Sequence, residues 1–505
     1  MARGDERPVE VVLDDGPAED GRRTGRGAGP GGPAGSPGGP DEAGAVRRRR
    51  RRARWVAAGV VLVVAVLAVA DLVGERRERA RLEAFSDVPG VVASLAEPLE
   101  ERWRTAATEA VTAVGGVLVT VDPREAAVVG RDLGSGARRW AVPVADGVPV
   151  DAVQCPLVVP AGSSTGARTG TGAGRGGGTV LCSGLGAGGG ATFFGGLDAV
   201  DVRTGDRLAP VETPGVVTGM GAVDGDVVVA QRDPDVADAL AVSRRDVVTG
   251  QLRWAVPVRD VGPMSASLTS GDRAVVVLEG SRTVVLDASD GRELARGAVD
   301  TRPAAVGTPT ETARVVSRPG AGFGIWASRY AGRWYTPDGA AGPDLGGAPV
   351  QPDVDDASVP GILLLLTRGE ERLRAVDVAT GASLWERPAP ARVLVSLAGQ
   401  VVVTADGRLR ALDLLTGEPR WDVALDPGEE PQRGEAYTDG LRVALRGTGA
   451  DGRLRLTAYD LADGDRLWRA PLPADADFLS RAGNRVAAVG RPGDGTGDSL
   501  IVLGS

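Results

Sequence analysis

Apolar and polar positions alternate in short runs along most of this chain, and one long run breaks the pattern. It reads WVAAGVVLVVAVLAVA from Trp55 to Ala70, with no charge. Asp71 interrupts it, and Leu72, Val73 and Gly74 extend it to 20 positions. Twenty residues at the helical rise cover ~30 Å, the thickness of a hydrocarbon core, which predicts a transmembrane helix over 55–74. The downstream runs are short and β-branched: DVVVA (226–230), RAVVVLE (273–279), ILLLL (362–366) and QVVVT (400–404). Runs of that length between turn residues predict strands.

A second pattern organises those strands. Asp, three residues, Gly, three residues and Trp recur as Asp132/Gly136/Trp140, Asp246/Gly250/Trp254, Asp377/Gly381/Trp385, Asp413/Gly417/Trp421 and Asp460/Gly464/Trp468. Two copies end in Ala instead, Asp201/Gly205/Ala209 and Asp287/Gly291/Ala295, and a degenerate copy lies between Gly332 and Gly339. Asp closes an Asx-turn on its own backbone, and Gly supplies the positive φ the turn requires. Single steps between copies run from 36 to 47 residues, near the length of a four-stranded propeller blade. The Asp-x-x-Thr-Gly-x-x-x-Trp element resembles the repeat of PQQ-like propellers, the family of quinoprotein alcohol dehydrogenases and BamB-like proteins. The resemblance covers roughly Leu99 to Ser505. It implies an all-β fold, and the eight copies of the turn motif, the degenerate one included, predict a propeller of eight blades with seven as the alternative, preceded by the single transmembrane α-helix of 55–74. It also implies that the repeat tryptophans pack between adjacent blades. Trp103, in Glu101–Arg104, looks like a lone outer strand that would pair with strands of the C-terminus.

Charge places the remaining segments. Arg47–Arg52 and Arg54 precede the apolar run, while Arg76, Arg77, Arg79 and Arg81 follow it. Seven arginines against four favour a cytoplasmic N-terminus and an extracytoplasmic C-terminal part of a single-pass cell-membrane protein. Ala68-Val69-Ala70 resembles a cleavage site, but the long preceding tail favours an uncleaved anchor. Residues 1–54, rich in Gly, Pro and Arg, are expected to be a disordered tail. Residues 75–98 are expected to be a stalk and 99–505 the propeller. The net charge of −9 leaves no footprint for nucleic acid.

The chain has no His and no Lys, which closes Ser/His/Asp triads, imidazole metal ligands and Schiff-base chemistry. Cys155 and Cys182 flank a Gly-rich stretch (162–178) and are expected to form one structural disulfide. Its GxGxxG-like strings lack the strand-to-helix setting of a phosphate loop. Asp353, Asp355 and Asp356, like Asp233, Asp235 and Asp238, read as solvated loops and not as calcium ligands. No catalytic, cofactor or metal residue is assigned, and no cofactor is expected. The expected function is that of a non-enzymatic interaction scaffold for an envelope or membrane protein, with contacts through the loops 161–190, 303–322 and 336–358. The alternatives are a PQQ-dependent dehydrogenase-like enzyme and a sensor of small ligands or sugars.

Overall fold

The computed structural model describes residues 76–505, apart from 77, 79, 87, 107–108, 145–152, 161–177, 184–196, 214, 216, 233–238, 260–266, 271–273, 280–281, 299–313, 319, 329, 368, 370–371, 430–435, 450 and 491–498. The expected tail (1–54) and transmembrane helix (55–74) lie outside the described residues, as do Asp233, Asp235 and Asp238. Among the described residues no helix is long and apolar enough to cross a membrane. Residues 76, 78 and 80–85 are helical, and the described residues from Glu100 onward are mainly strands and turns.

The strands form antiparallel sheets in chain order. The first sheet runs Glu109–Val114, Val117–Asp122, Ala127–Asp132 and Arg138–Pro143. The second has three strands, Gln154–Pro160, Gly178–Ser183 and Asp198–Asp201. The third covers Val217–Arg259, the fourth Ser267–Ala298 and the fifth Arg314–Gly346. The sixth pairs Ala348–Pro349 with the strands from Ile362 to Pro388. The seventh covers Arg392–Ala424 and takes Val354–Asp355 as a short fifth strand. The eighth covers Ala436–Pro471. The ninth joins the C-terminal strands Ala476–Ala482, Arg485–Gly490 and Ser499–Gly504 to Glu100–Ala106. Seven sheets are regular four-stranded blades; the second has three strands and the seventh has five. The expected count of eight is therefore corrected, and the alternative of seven matches the regular four-stranded blades. Each Asp–Gly copy does sit in its own sheet, but the two chain ends build one more, and the Ala-ending copy at Asp201 leaves its sheet one strand short.

Strand period explains how the ring holds together. Side chains alternate between the two faces of a sheet, and here both faces are apolar. Val401 and Val403 join a cluster with the sixth sheet, while Val402 points to the eighth. Leu363 and Leu365 face the fifth sheet, and Ile362 and Leu364 the seventh. Apolar clusters of this kind fill every junction between successive sheets. The last one places Leu500 and Val502 of the ninth sheet against Leu118 and Leu133 of the first, which closes the ring. A run such as ILLLL, apolar at consecutive positions, is what a strand buried on both faces requires.

The C-terminal half of the expected stalk does not stand clear of the ring. Val88 and Val91 enter the junction of the seventh and eighth sheets, and Val92 and Leu95 that of the eighth and ninth. Val92 N donates to Thr438 O at 2.8 Å and Ala93 N to Asn484 O at 2.5 Å. Residues 86–99 are thus a strap laid across three sheets.

Candidate interaction faces and the channel mouth

The Asp–Gly turn and the tryptophan act across blades. Within each copy the Asp carboxylate caps its own turn: Asp413 Oδ1 accepts from Leu415 N and Thr416 N, each at 3.0 Å. Gly417 sits at φ 70°, the left-handed region that glycine tolerates. The Trp of the preceding sheet then covers that turn. Trp385 Nε1 donates to Leu414 O at 2.8 Å, and a Cβ on Gly417 would stand 2.6 Å from its ring. The same relation links Trp140 to Val202 O and Gly205, Trp254 to Ala288 O and Gly291, and Trp421 to Leu461 O and Gly464. The Gly is therefore required twice, by φ and by the ring above it.

The two chain ends complete this series. Trp103, on the N-terminal strand of the ninth sheet, donates to Leu133 O and lies over Gly136 of the first. Trp468 has no Asp–Gly turn ahead of it, and its indole donates instead to Leu95 O of the strap at 2.8 Å. The strap stands in for the turn that the ninth sheet lacks.

Charge reinforces several turns. Arg139 pairs with Asp132, Arg253 with Asp246 and Arg420 with Asp413, seven residues apart in each case. The Arg139 guanidinium and the Ser135 amide and hydroxyl hold Asp132 down to about 2. Where Leu384 replaces the arginine, the Thr380 hydroxyl and amide hold Asp377 below its usual range.

All these turns lie on one face of the ring. Antiparallel order puts the first-to-second and third-to-fourth turns of each sheet on the same side, and Leu133 N to Gly116 O and Leu414 N to Gly399 O join them. On this turn face the chain lays a further short strand beside an innermost one. Val354–Asp355 runs parallel to Arg392–Leu397, the innermost strand of the seventh sheet. A Cβ on Gly90 of the strap would meet Val354 Cγ2 at 3.2 Å and Asp353 O at 3.4 Å.

The carboxylates expected to be solvated are engaged here. Asp355 pairs with Arg318 of the fifth sheet. Asp356 Oδ2 accepts from Ala398 N at 2.7 Å, and Asp353 N donates to Leu394 O. The segment 336–358, expected to be one long contact loop, holds the strands Ala341–Gly346, Ala348–Pro349 and Val354–Asp355. Beside it Arg481 lies 5.4 Å from the Tyr437 ring centroid and donates to Ala436 O. Burial raises the Tyr437 hydroxyl pKa and lowers that of Arg481. Sequence reasoning missed this pair, because nothing local links two residues 44 positions apart.

Cys155 and Cys182 form a disulfide between neighbouring strands of the second sheet. Both are buried in the junction with the first sheet. Of the other expected contact loops, 161–177, 184–190, 303–313 and 319 lie outside the described residues. Among the described residues no group of three or more His, Cys, Asp or Glu could hold a metal ion.

Residues 321–495 match the family described as outer membrane protein assembly factor BamB. A search of curated proteins gives no match. Among solved structures the chain is similar to BamB from Moraxella catarrhalis, at 16% identity over 81% of this chain and 100% of that one, with a TM-score of 0.39. It is also similar to quinohemoprotein alcohol dehydrogenase from Comamonas testosteroni, at 14% identity over 82% and 78% of the two chains, with a TM-score of 0.39. The C-terminal WD40 domain of Sif2 shares 11% identity over 82% and 100%, with a TM-score of 0.41. Likeness at this level does not extend to activity.

Proposed function

We propose that the chain is an extracytoplasmic binding scaffold, anchored by residues 55–74, that holds an envelope or membrane protein on the face opposite the turn face. The carrying observation is the occupation of the turn face. The strap and residues 353–356 lie against inner strands there, and their polar groups pair with the ring itself. The opposite face is where the strands flanking 145–152, 184–196 and 299–313 end, and connections on a rigid scaffold suit recognition. The description of the family matched over 321–495 as an assembly factor supports the same reading.

The disulfide is a sealed bridge between strands within an apolar junction.

Crosslinking of the tagged full-length chain in intact cells, read by mass spectrometry, tests the proposal. Links from one envelope protein to residues flanking 145–152 and 299–313 support it. Capture of no protein, or links confined to the turn face, would sink it.

A further inference from the structure

Among the described residues, two cations of the ninth sheet lack a paired carboxylate. Arg485 opens the second strand of that sheet, and Arg102 is the extra residue at the bulge between Glu101 and Trp103. Both lie over the bare Cα of Gly504. A Cβ there would stand 2.5 Å from Arg485 Nη1 and 3.3 Å from Arg102 Nε. Among the described residues no carboxylate pairs with either, although the adjacent Arg104 pairs with Glu101 and Asp475.

Several partly buried arginines elsewhere in the ring find acids, while Arg481 finds the Tyr437 ring and Ala436 O. Arg131 pairs with Asp122, Arg244 with Asp226 and Arg442 with Asp439. Arg485 lacks a paired acid among the described residues, in a chain of net charge −9 where acids are in excess. Burial first, and Arg102 second, hold the Arg485 pKa below the ordinary arginine value. Both effects disfavour a bare cation and are relieved by a bound anion.

A recess opens beside Arg485. Val92, Leu95, Leu99, Val486 and Leu503 line most of a volume of about 10 Å³, with Ser94 and Asn484 beside them. It takes about one water-sized atom, and so a single oxygen of a larger group. Guanidinium forks match the spacing of carboxylate and phosphate oxygens.

We propose that Arg102 and Arg485 form an oxyanion site for a carboxylate or phosphate group, with one oxygen in the recess and the rest of the group on the turn face. The inference does not depend on the scaffold reading. The wall belongs partly to the strap and partly to the C-terminal strand. An anion bound here bridges the two ends of the chain that close the ring and stabilises the folded state by linkage.

Thermal unfolding of the full-length chain in inorganic phosphate, in acetate and in sodium chloride of matched ionic strength tests the site. A saturable rise of the midpoint in phosphate or acetate, beyond that in chloride, is expected, and the more effective anion identifies the group. Arg485→Gln and Arg102→Gln should each weaken the apparent affinity roughly tenfold, the equivalent of one charge-assisted hydrogen bond. Arg102 is exposed, so Arg102→Gln keeps the test open should Arg485→Gln not fold. No saturable rise up to tens of millimolar, or an equal rise in the variants, overturns the proposal.

Discussion

Asp439 fastens the strap to the ring, and its replacement tests that connection. Its side chain is fully buried, and Oδ2 accepts from Leu95 N of the strap at 2.8 Å. Oδ1 accepts from Leu441 N at 2.9 Å and Arg442 N at 2.7 Å. The Arg442 guanidinium sits 3.0 Å from Oδ2 and also reaches Glu78 of the short helix at 2.6 Å. Removing one partner of a buried pair costs roughly 3–5 kcal/mol, because the other charge is left behind. Glu78 still faces Arg442, so Asp439→Ala belongs near the lower end, about 3 kcal/mol. Roughly 1.5–3 kcal/mol of hydrogen bonding to a charged acceptor is lost at Leu95 itself. Urea unfolding of the full-length chain gives the global effect, and hydrogen exchange of 88–99 gives the local one. The strap should lose protection well before Val443–Leu445 in the core of the eighth sheet. A loss under about 1 kcal/mol with unchanged exchange at Leu95 would refute the reasoning.

Three further outcomes follow from the repeat geometry. Trp421→Ala should cost roughly 3–5 kcal/mol through the cavity at the junction of the seventh and eighth sheets. Trp421→Phe should cost only about 0.5–1.5 kcal/mol for the lost hydrogen bond, because Gln400 Nε2 still donates to Leu461 O at 3.2 Å; denaturant midpoints of the two variants check the order. Asp132 titrates at about 2 in the folded chain, below its ordinary 3.8. Its contribution is therefore complete above about pH 4 and lost as the pH falls through 2. With both partners partly exposed it is worth no more than ~1 kcal/mol, so Arg139→Gln should flatten the acid limb of stability against pH slightly. Replacing Cys155 and Cys182 together by Ala should cost roughly 3 kcal/mol for a bridge spanning 27 positions, and calorimetry with and without reductant measures it.

The repeat was legible because its physics is local. Asp and Gly at a fixed spacing specify a turn, and a double-faced apolar run such as ILLLL specifies a strand buried on both sides. The cross-blade role of Trp140, Trp254, Trp385, Trp421 and Trp468 followed from that spacing and the family resemblance. Blade number was not legible, because it depends on how the ends meet. Glu100–Ala106 pairs with Ser499–Gly504 across nearly the whole chain, and Trp103 alone hinted at it. The strap was hidden for a related reason. Val88, Val91, Val92 and Leu95 are too few and too irregularly spaced to show strand or helix period, and only Thr438, Asp439 and Asn484, more than 340 positions away, give them a surface. The acids at 353–356 look like a solvated loop until Arg318 and the seventh sheet are placed beside them. Arg102 and Arg485 carry no motif, and only the structure reveals that no carboxylate among the described residues pairs with them.

The closure of the ring by the two chain ends is the central structural claim. Thr105 stands opposite Leu500 in the ninth sheet, whereas Val502 faces Trp103. The chain carrying Thr105→Cys with Leu500→Cys should form a new disulfide under mild oxidation, identified by mass spectrometry of the linked peptides. Thr105→Cys with Val502→Cys should link far less. Failure of the first pair to link, or equal linking of both, would contradict the closure.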